Sequence, residues 1–208
     1  MAHQQYCSKA DLKTYLGLSG SGQDTNIDNA INGASRQIDG FCGRYFYQDE
    51  SVNARYYTPT NYVEIAVDDI STTTGLVVKL DTNDDGTHNK TITINTDFIL
   101  KPTNPEHIEV SDSDFRFPQN YIQIIPTRSS ERFDPLIINN IKVEAKWGFS
   151  AVPPAIKQAT LIQATRLWKR KDTPFNVFGS EQTGTQELFS KFDPDAKELI
   201  RPYKKNVL

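Results

Sequence analysis

The chain has 208 residues, of which 37% are hydrophobic and 24% charged, the proportions of a folded globular protein with room for one generous domain or two small ones. Its 23 basic and 26 acidic residues leave a formal net charge of −3, which argues against a general nucleic-acid binder. No apolar run approaches the ~20 residues of a membrane span. Cys7 and Cys42 make neither a disulfide framework nor a zinc site. Residues 1–5 (Met-Ala-His-Gln-Gln) lack the basic and apolar regions of a secretion signal. The expected compartment is the cytosol, or a particle assembled there.

The first predicted element is a short helix. Ser8 and Asp11 stand at capping-box spacing, with Asp in place of the usual Glu, ahead of Leu12, Tyr15 and Leu16, and Gly17 ends the helix. Glycines at 17, 20 and 22 superficially resemble a phosphate loop, but no strand precedes them and no Gly-Lys-Ser/Thr follows, so this stretch reads as a flexible link. From Asp24, a good N-cap, the apolar residues Ile27, Ile31, Ala34, Ile38 and Phe41 recur at alternating steps of four and three, which predicts an amphipathic helix closed by Gly43. Gly33 and Gly40 share one flank of it, each costing about 0.5–1 kcal/mol relative to Ala. Such a cost fits close approach by another backbone, and equally a tolerated surface position.

After the aromatic run at 44–47 the period changes from 3.6 to 2. Residues 62–67, 75–80, 90–94, 121–125 and 141–147 are predicted strands, bounded by Asp, Asn, Gly and Pro clusters. In the last of them Ile141, Val143, Ala145 and Trp147 alternate with Lys142, Glu144 and Lys146, so one face packs and the other is wet.

Pro153 and Pro154 end that strand and start the next helix, because Pro lacks the N–H that a ladder needs and a first helical position does not. Ile156, Leu161, Ala164, Leu167 and Trp168 form its main stripe, with Ile162 on the opposite side facing a second neighbour, for which another subunit is one candidate. Arg166, Lys169, Arg170 and Lys171 crowd its C-terminal turns, where the helix dipole favours cations. Residues 172–185 read as a long loop, with apolar groups at Phe175, Val177 and Phe178 and then at Leu188, Phe189 and Phe192. Asp193 and Pro194 start one or two helical turns before Pro202 and a basic ending. The expected fold class is α+β: a small helical bundle from residues 1–50 and 150–171, an inserted antiparallel β module at 51–149, and an extended C-terminal tail at 172–208.

Residues 81–86 (Asp-Thr-Asn-Asp-Asp-Gly) match the first half of an EF-hand calcium loop, but its twelfth position is Ile92 rather than Glu, and Asp, Asn and Gly are also what a polar hairpin turn demands. His3, His88 and His107 have no Cys or carboxylate at a metal-ligand spacing, and no nucleophile–base motif is present. The sequence therefore predicts no enzyme, no cofactor and no metal site. Residues 68–114 hold ten acidic and three basic residues, whereas residues 153–171 hold five basic and none acidic. That contrast is either ordinary solvation with dipole matching or a pair of complementary assembly faces.

Several stretches taken together resemble the head-tail connector, or adaptor, proteins of tailed double-stranded DNA bacteriophages. They are residues 6–16 (Tyr-Cys-Ser-Lys-Ala-Asp-Leu-Lys-Thr-Tyr-Leu), 24–41 with Ala34 and Ser35, and 42–46 (Cys-Gly-Arg-Tyr-Phe). Further along come 81–86, 97–102 (Asp-Phe-Ile-Leu-Lys-Pro) with Asn104, 147–153 (Trp-Gly-Phe-Ser-Ala-Val-Pro), and 159–170 with Ala164, Arg166 and Leu167. The resemblance implies a structural virion protein at the neck, assembled in the host cytoplasm into a homo-oligomeric ring, commonly of twelve copies. Its partners would be the portal protein and the next connector, stopper or tail protein, with genomic DNA passing through the channel during ejection and no membrane contact. On this reading Phe175, Phe178, Phe189, Phe192, Arg201, Lys204 and Lys205 reach the portal, Gly33, Gly40 and Ile162 contact neighbouring subunits, and Asp84, Asp85, Asp112 and Asp114 face the channel. The alternatives are another tail or baseplate structural protein, or an enzyme with an unfamiliar site.

Overall fold

Ser8 and Asp11 close the expected capping box: the Asp11 amide donates to the Ser8 hydroxyl and the Ser8 amide to the Asp11 carboxylate, each at 3.0 Å. In this computed structural model, which describes residues 3–103, 117–170 and 192–205 and the backbone of 177–178 and 186–187, they start helix α1 (Lys9–Leu16). Gly17 ends it in the left-handed region at φ 66°. Helix α2 (Asp24–Cys42) ends likewise at Gly43, φ 66°. Its start differs from expectation, because Gln23 holds the N-cap position without a side-chain cap bond. Asp24 is instead the first helical residue, where its carboxylate meets Lys13 and, at 3.5 Å, Lys9. The cations of α1 outcompete the amides of α2 for that carboxylate.

The chain divides into two compact units, one formed by Met1–Phe46 with Val152–Leu208 and the other by Tyr47–Ala151. In the helical unit the stripe of α2 meets that of α3 (Pro154–Lys169), and Ile27, Ile31, Ala34, Leu161 and Ala164 join Leu12 and Cys7 in one buried cluster. Leu167 and Trp168 pack against it partly buried. α3 also packs against the chain's own helix α4 (Pro194–Ile200). Gln163, fully buried, donates to Gln37 at 2.6 Å and accepts from the Asp193 amide at 2.9 Å. Asp193 caps α4 through the amides of Asp195 and Ala196.

Ala196, Ile200 and Tyr203 are buried, and the Lys205 amide donates to the Cys42 carbonyl at 2.8 Å. Residues 192–205, the helical turns expected after Asp193 within the extended C-terminus, thus pack on the helical core. The reason is that α2 and α3 leave apolar surface beyond their mutual stripe, and α4 covers it. Between these elements, β7 (Val177–Phe178) pairs antiparallel with β8 (Gln186–Glu187).

The second unit is a six-stranded antiparallel sheet of β1 (Asn53–Tyr57), β2 (Glu64–Leu80), β3 (Lys90–Ile92), β4 (Phe98–Lys101), β5 (Gln119–Ile124) and β6 (Ile141–Trp147). The order is β1-β6-β2-β5-β4, with β3 also on β2. The alternation of β6 is as read from the sequence, with Ile141, Val143, Ala145 and Trp147 all fully buried. The Trp147 indole N–H donates to the Asn53 carbonyl at 2.8 Å, and the Arg55 guanidinium lies 4.5 Å from its ring.

β2 joins two stretches that the sequence separates, 62–67 and 75–80. Its first part pairs with β5 and its last with β6 and β3, with register shifts between Ala66 and Val77 and Gly75 at φ 81°. The edge strands β1 and β4 were not foreseen. Among the described residues no helix is long and apolar enough to cross a membrane, and no group of three His, Cys, Asp or Glu converges on a metal position.

Candidate functional site

One end of the sheet gathers three loops. In the first, residues 81–89, the buried Asp81 carboxylate accepts from the amides of Asn83 at 3.1 Å and Gly86 at 2.8 Å. Desolvation pushes this carboxyl up, but the amides of Asn83, Gly86, Asp85 and Asp84 outweigh it and hold the group below the ordinary aspartate range. Asp85 accepts from the Thr87 amide at 2.8 Å, and Asp84 sits at φ 55°. The loop satisfies its own carboxylates, which is the arrangement of a polar turn. Asp84 and Asp85 remain exposed, and no cation among the described residues forms an ion pair with either. Asp112 and Asp114 lie outside the described residues.

The second loop, residues 134–140, is bolted to the first. The Asn140 side chain donates to the Asp81 carbonyl at 2.6 Å, and the Asp81 amide donates to the Asn140 carbonyl at 2.8 Å. Asn139 ties in the third: its amide donates to the Thr58 hydroxyl at 2.8 Å, and its carbonyl lies 2.9 Å from His88 Nε2. The His88 ring in turn lies 5.4 Å from that of Tyr56, tilted by 54°.

At this well-braced end Leu136 is 84% exposed, Ile138 78% and Tyr56 52%. Isolated exposed aliphatics are ordinary, but two on a loop that Asn139 and His88 tie to an exposed aromatic form a candidate patch. Sequence reasoning missed Leu136 and Ile138. The available signal was an apolar run, Leu136 to Ile138, trapped between Asp-Pro and Asn-Asn turn formers and so outside any strand.

The helical unit carries a patch of opposite charge. The half-buried Phe41 ring lies 5.7 Å from that of Phe192, with Lys197 Nζ 5.8 Å and Lys204 Nζ 5.7 Å from its centroid. Both lysines are exposed and pair with no carboxylate among the described residues, whereas the exposed Arg201 meets Glu198 at 3.6 Å. Phe192, Arg201, Lys204 and Lys205 are therefore anchored on the helical core rather than on a free tail. The side chains of Phe175, Phe178 and Phe189 lie outside the described residues. The sequence reading also missed Phe41 and Lys197 as members of this patch; Lys197 sits one turn into α4 and meets Phe41 only through the tertiary fold.

Of the expected subunit contacts, Gly33 faces the chain's own α3, and a Cβ there would meet Leu167 Cδ1 at 3.3 Å. That close approach is within the chain, between α2 and α3. Gly40 faces open space and Ile162 is half-buried. Cys7 and Cys42 are buried free thiols, pushed up to about 12 chiefly by desolvation, which keeps them from acting as thiolates.

No protein-family model matches the sequence, and no curated protein matches it. Solved structures with a similar fold include a chain in the neck of an empty gene transfer agent particle, computed with C6 symmetry. That chain is 12% identical at a TM-score of 0.50, and the alignment covers 100% of this chain and 97% of that one. Others are a chain from the virion of the native gene transfer agent particle, 13% identical at a TM-score of 0.49 with 100% and 94% covered, and one from the native neck computed with C12 symmetry, 12% identical at 0.43 with 100% and 97% covered. At such identity the likeness establishes a shared fold: the α+β plan of this chain recurs, end to end, in a chain of a particle neck.

Proposed function

We propose that the protein is a structural component of the neck between head and tail of a phage-like particle. It forms a ring of identical copies under the portal, extends the DNA channel and offers a platform to the next connector or tail protein. The observation that carries this is the full-length fold likeness to a chain of a gene transfer agent neck, at a TM-score of 0.50. The distribution of charge supports it. Aspartates at the loop end of the sheet and lysines around Phe41 that pair with no opposite charge among the described residues are features of contact surfaces.

Imaging of purified particles with the subunit labelled tests the reading. A ring of label at the head-tail junction is the expected result. Label at the distal end of the tail would transfer the chain to the baseplate, and its absence from particles would end both structural readings.

A further inference from the structure

Two surfaces of this chain match each other. The loop end of the sheet presents Leu136 and Ile138, 84% and 78% exposed, on a loop hydrogen-bonded to the one that carries Asp84 and Asp85, which have no cationic partner among the described residues. The helical unit presents the Phe41–Phe192 ring pair flanked by Lys197 and Lys204, which have no carboxylate partner among the described residues. Each patch joins apolar side chains to charges that have no opposite partner among the described residues, a composition that fits a docking surface with a polar edge. The signs are opposite.

We infer that the loop end of one copy docks on the Phe41 patch of the next, so that a second copy of this chain is the occupant of both surfaces. Such a contact is heterologous: the two patches are different, so each copy uses one for the neighbour on either side, and repetition gives a ring where the rotation closes. Leu136 and Ile138 would lie against the aromatic pair while Asp84 and Asp85 approach Lys197 and Lys204. The three loops are braced by the Asp81–Asn140, Asn139–Thr58 and Asn139–His88 hydrogen bonds, so the patch is preformed and little ordering entropy is lost on docking. Lys204 is thereby assigned to a neighbouring copy rather than to the portal. This inference rests on the ring reading above and names the surfaces that make the ring.

The test uses the full chain in sedimentation velocity at high protein concentration and low salt. One variant carries Asp84→Lys with Asp85→Lys, the other Lys197→Glu with Lys204→Glu, and unchanged thermal melts verify their folds, since all four side chains are exposed. Each variant alone should associate at least about tenfold more weakly than the wild type, as expected when attractive charges across an interface turn repulsive. An equimolar mixture of the two should regain association, because every junction in the mixed assembly again brings opposite charges together. Leu136→Ser with Ile138→Ser should weaken association at every salt concentration.

Wild-type association that neither reversal weakens would overturn these surfaces while leaving the ring reading standing. Weakening by only one reversal, with no rescue on mixing, would overturn the copy-to-copy assignment and give that surface to another protein. A wild-type chain that stays monomeric under these conditions would overturn the inference, and the neck reading would then stand or fall on particle imaging alone.

Discussion

The hydroxyl of Tyr6 donates to the carboxylate of Asp39, fastening the segment before α1 to the last turn of α2. The same oxygen accepts from the Phe46 amide at 3.0 Å, and the Tyr6 amide donates to the Ser35 hydroxyl at 3.2 Å. Arg36 completes the cluster, 2.8 Å from Asp39 and with its guanidinium 5.7 Å from the Tyr6 ring. Burial, and after it the hydrogen bond to Asp39, pushes the Tyr6 phenol well above its ordinary range. Burial also raises the Asp39 carboxyl, although the Tyr6 hydroxyl and Arg36 oppose the rise.

Tyr6→Phe removes one donor and one acceptor from this buried cluster, so it should cost about 1–3 kcal/mol in urea denaturation at neutral pH. The Tyr6 hydroxyl favours the ionised Asp39. The cost should therefore shrink at acid pH, where Asp39 is protonated and needs that donor less. A cost that is independent of pH would separate the mutation from the Asp39 contact.

Asp11 gives the opposite linkage. Hydrogen bonds from the Ser8 hydroxyl and amide, then the Lys157 ammonium at 3.0 Å, hold its carboxyl down to about 2. A depressed carboxyl contributes stability that is present above the ordinary aspartate value of 3.8 and is lost as pH falls through about 2. Asp11→Ala should lower stability at neutral pH by about 1 kcal/mol, the order of a lost capping interaction. It should also flatten the acid limb of the pH–stability curve in that window, as followed by circular dichroism of the α1 and α2 signal.

Gly33 and Gly40 should respond differently to the same substitution. Gly40→Ala has nothing within 4 Å of the new methyl and should stabilise by about 0.5–1 kcal/mol through helix propensity alone. At Gly33 the methyl meets Leu167 at 3.3 Å, so that gain is offset by displacement of a partly buried side chain. Gly33→Leu should cost about 1–3 kcal/mol as an overpacked contact between α2 and α3. Melting temperatures of the three variants decide the order.

Removing residues 192–208 should destabilise the helical unit. Ile200 is fully buried and Tyr203 7% exposed, and burial of such side chains contributes about 1.5–3 kcal/mol each. Gln163→Leu should act on the same junction more mildly, by about 1–3 kcal/mol, because it leaves the Asp193 amide and Gln37 without their buried partner. Hydrogen exchange at Ala196 and Ile200 should quicken in Gln163→Leu while that of β6 is unchanged. Equal melting of the truncated and intact chains would return the segment to the role of a free tail.

What the sequence by itself determined is local. The Ser8–Asp11 capping box, the glycine ends at Gly17 and Gly43, the start of α3 at Pro154, the stripe of α2 and the alternation of β6 each depend on residues within a few positions of one another. Their energetics survive without knowledge of the neighbours. The tertiary structure decided what depends on partners far along the chain. Residues 68–74 lack alternating apolar residues, yet β2 runs through them because β5 and β6 hold its two ends. Asp24 gives up the N-cap for lysines of another helix, and Gly33 turns inward because Leu167 lies opposite. The candidate surfaces follow the same division. Asp84, Asp85 and Lys204 could be read as charges, but Leu136, Ile138 and Phe41 became part of a surface only when folding fixed which apolar side chains had been left without a core to enter.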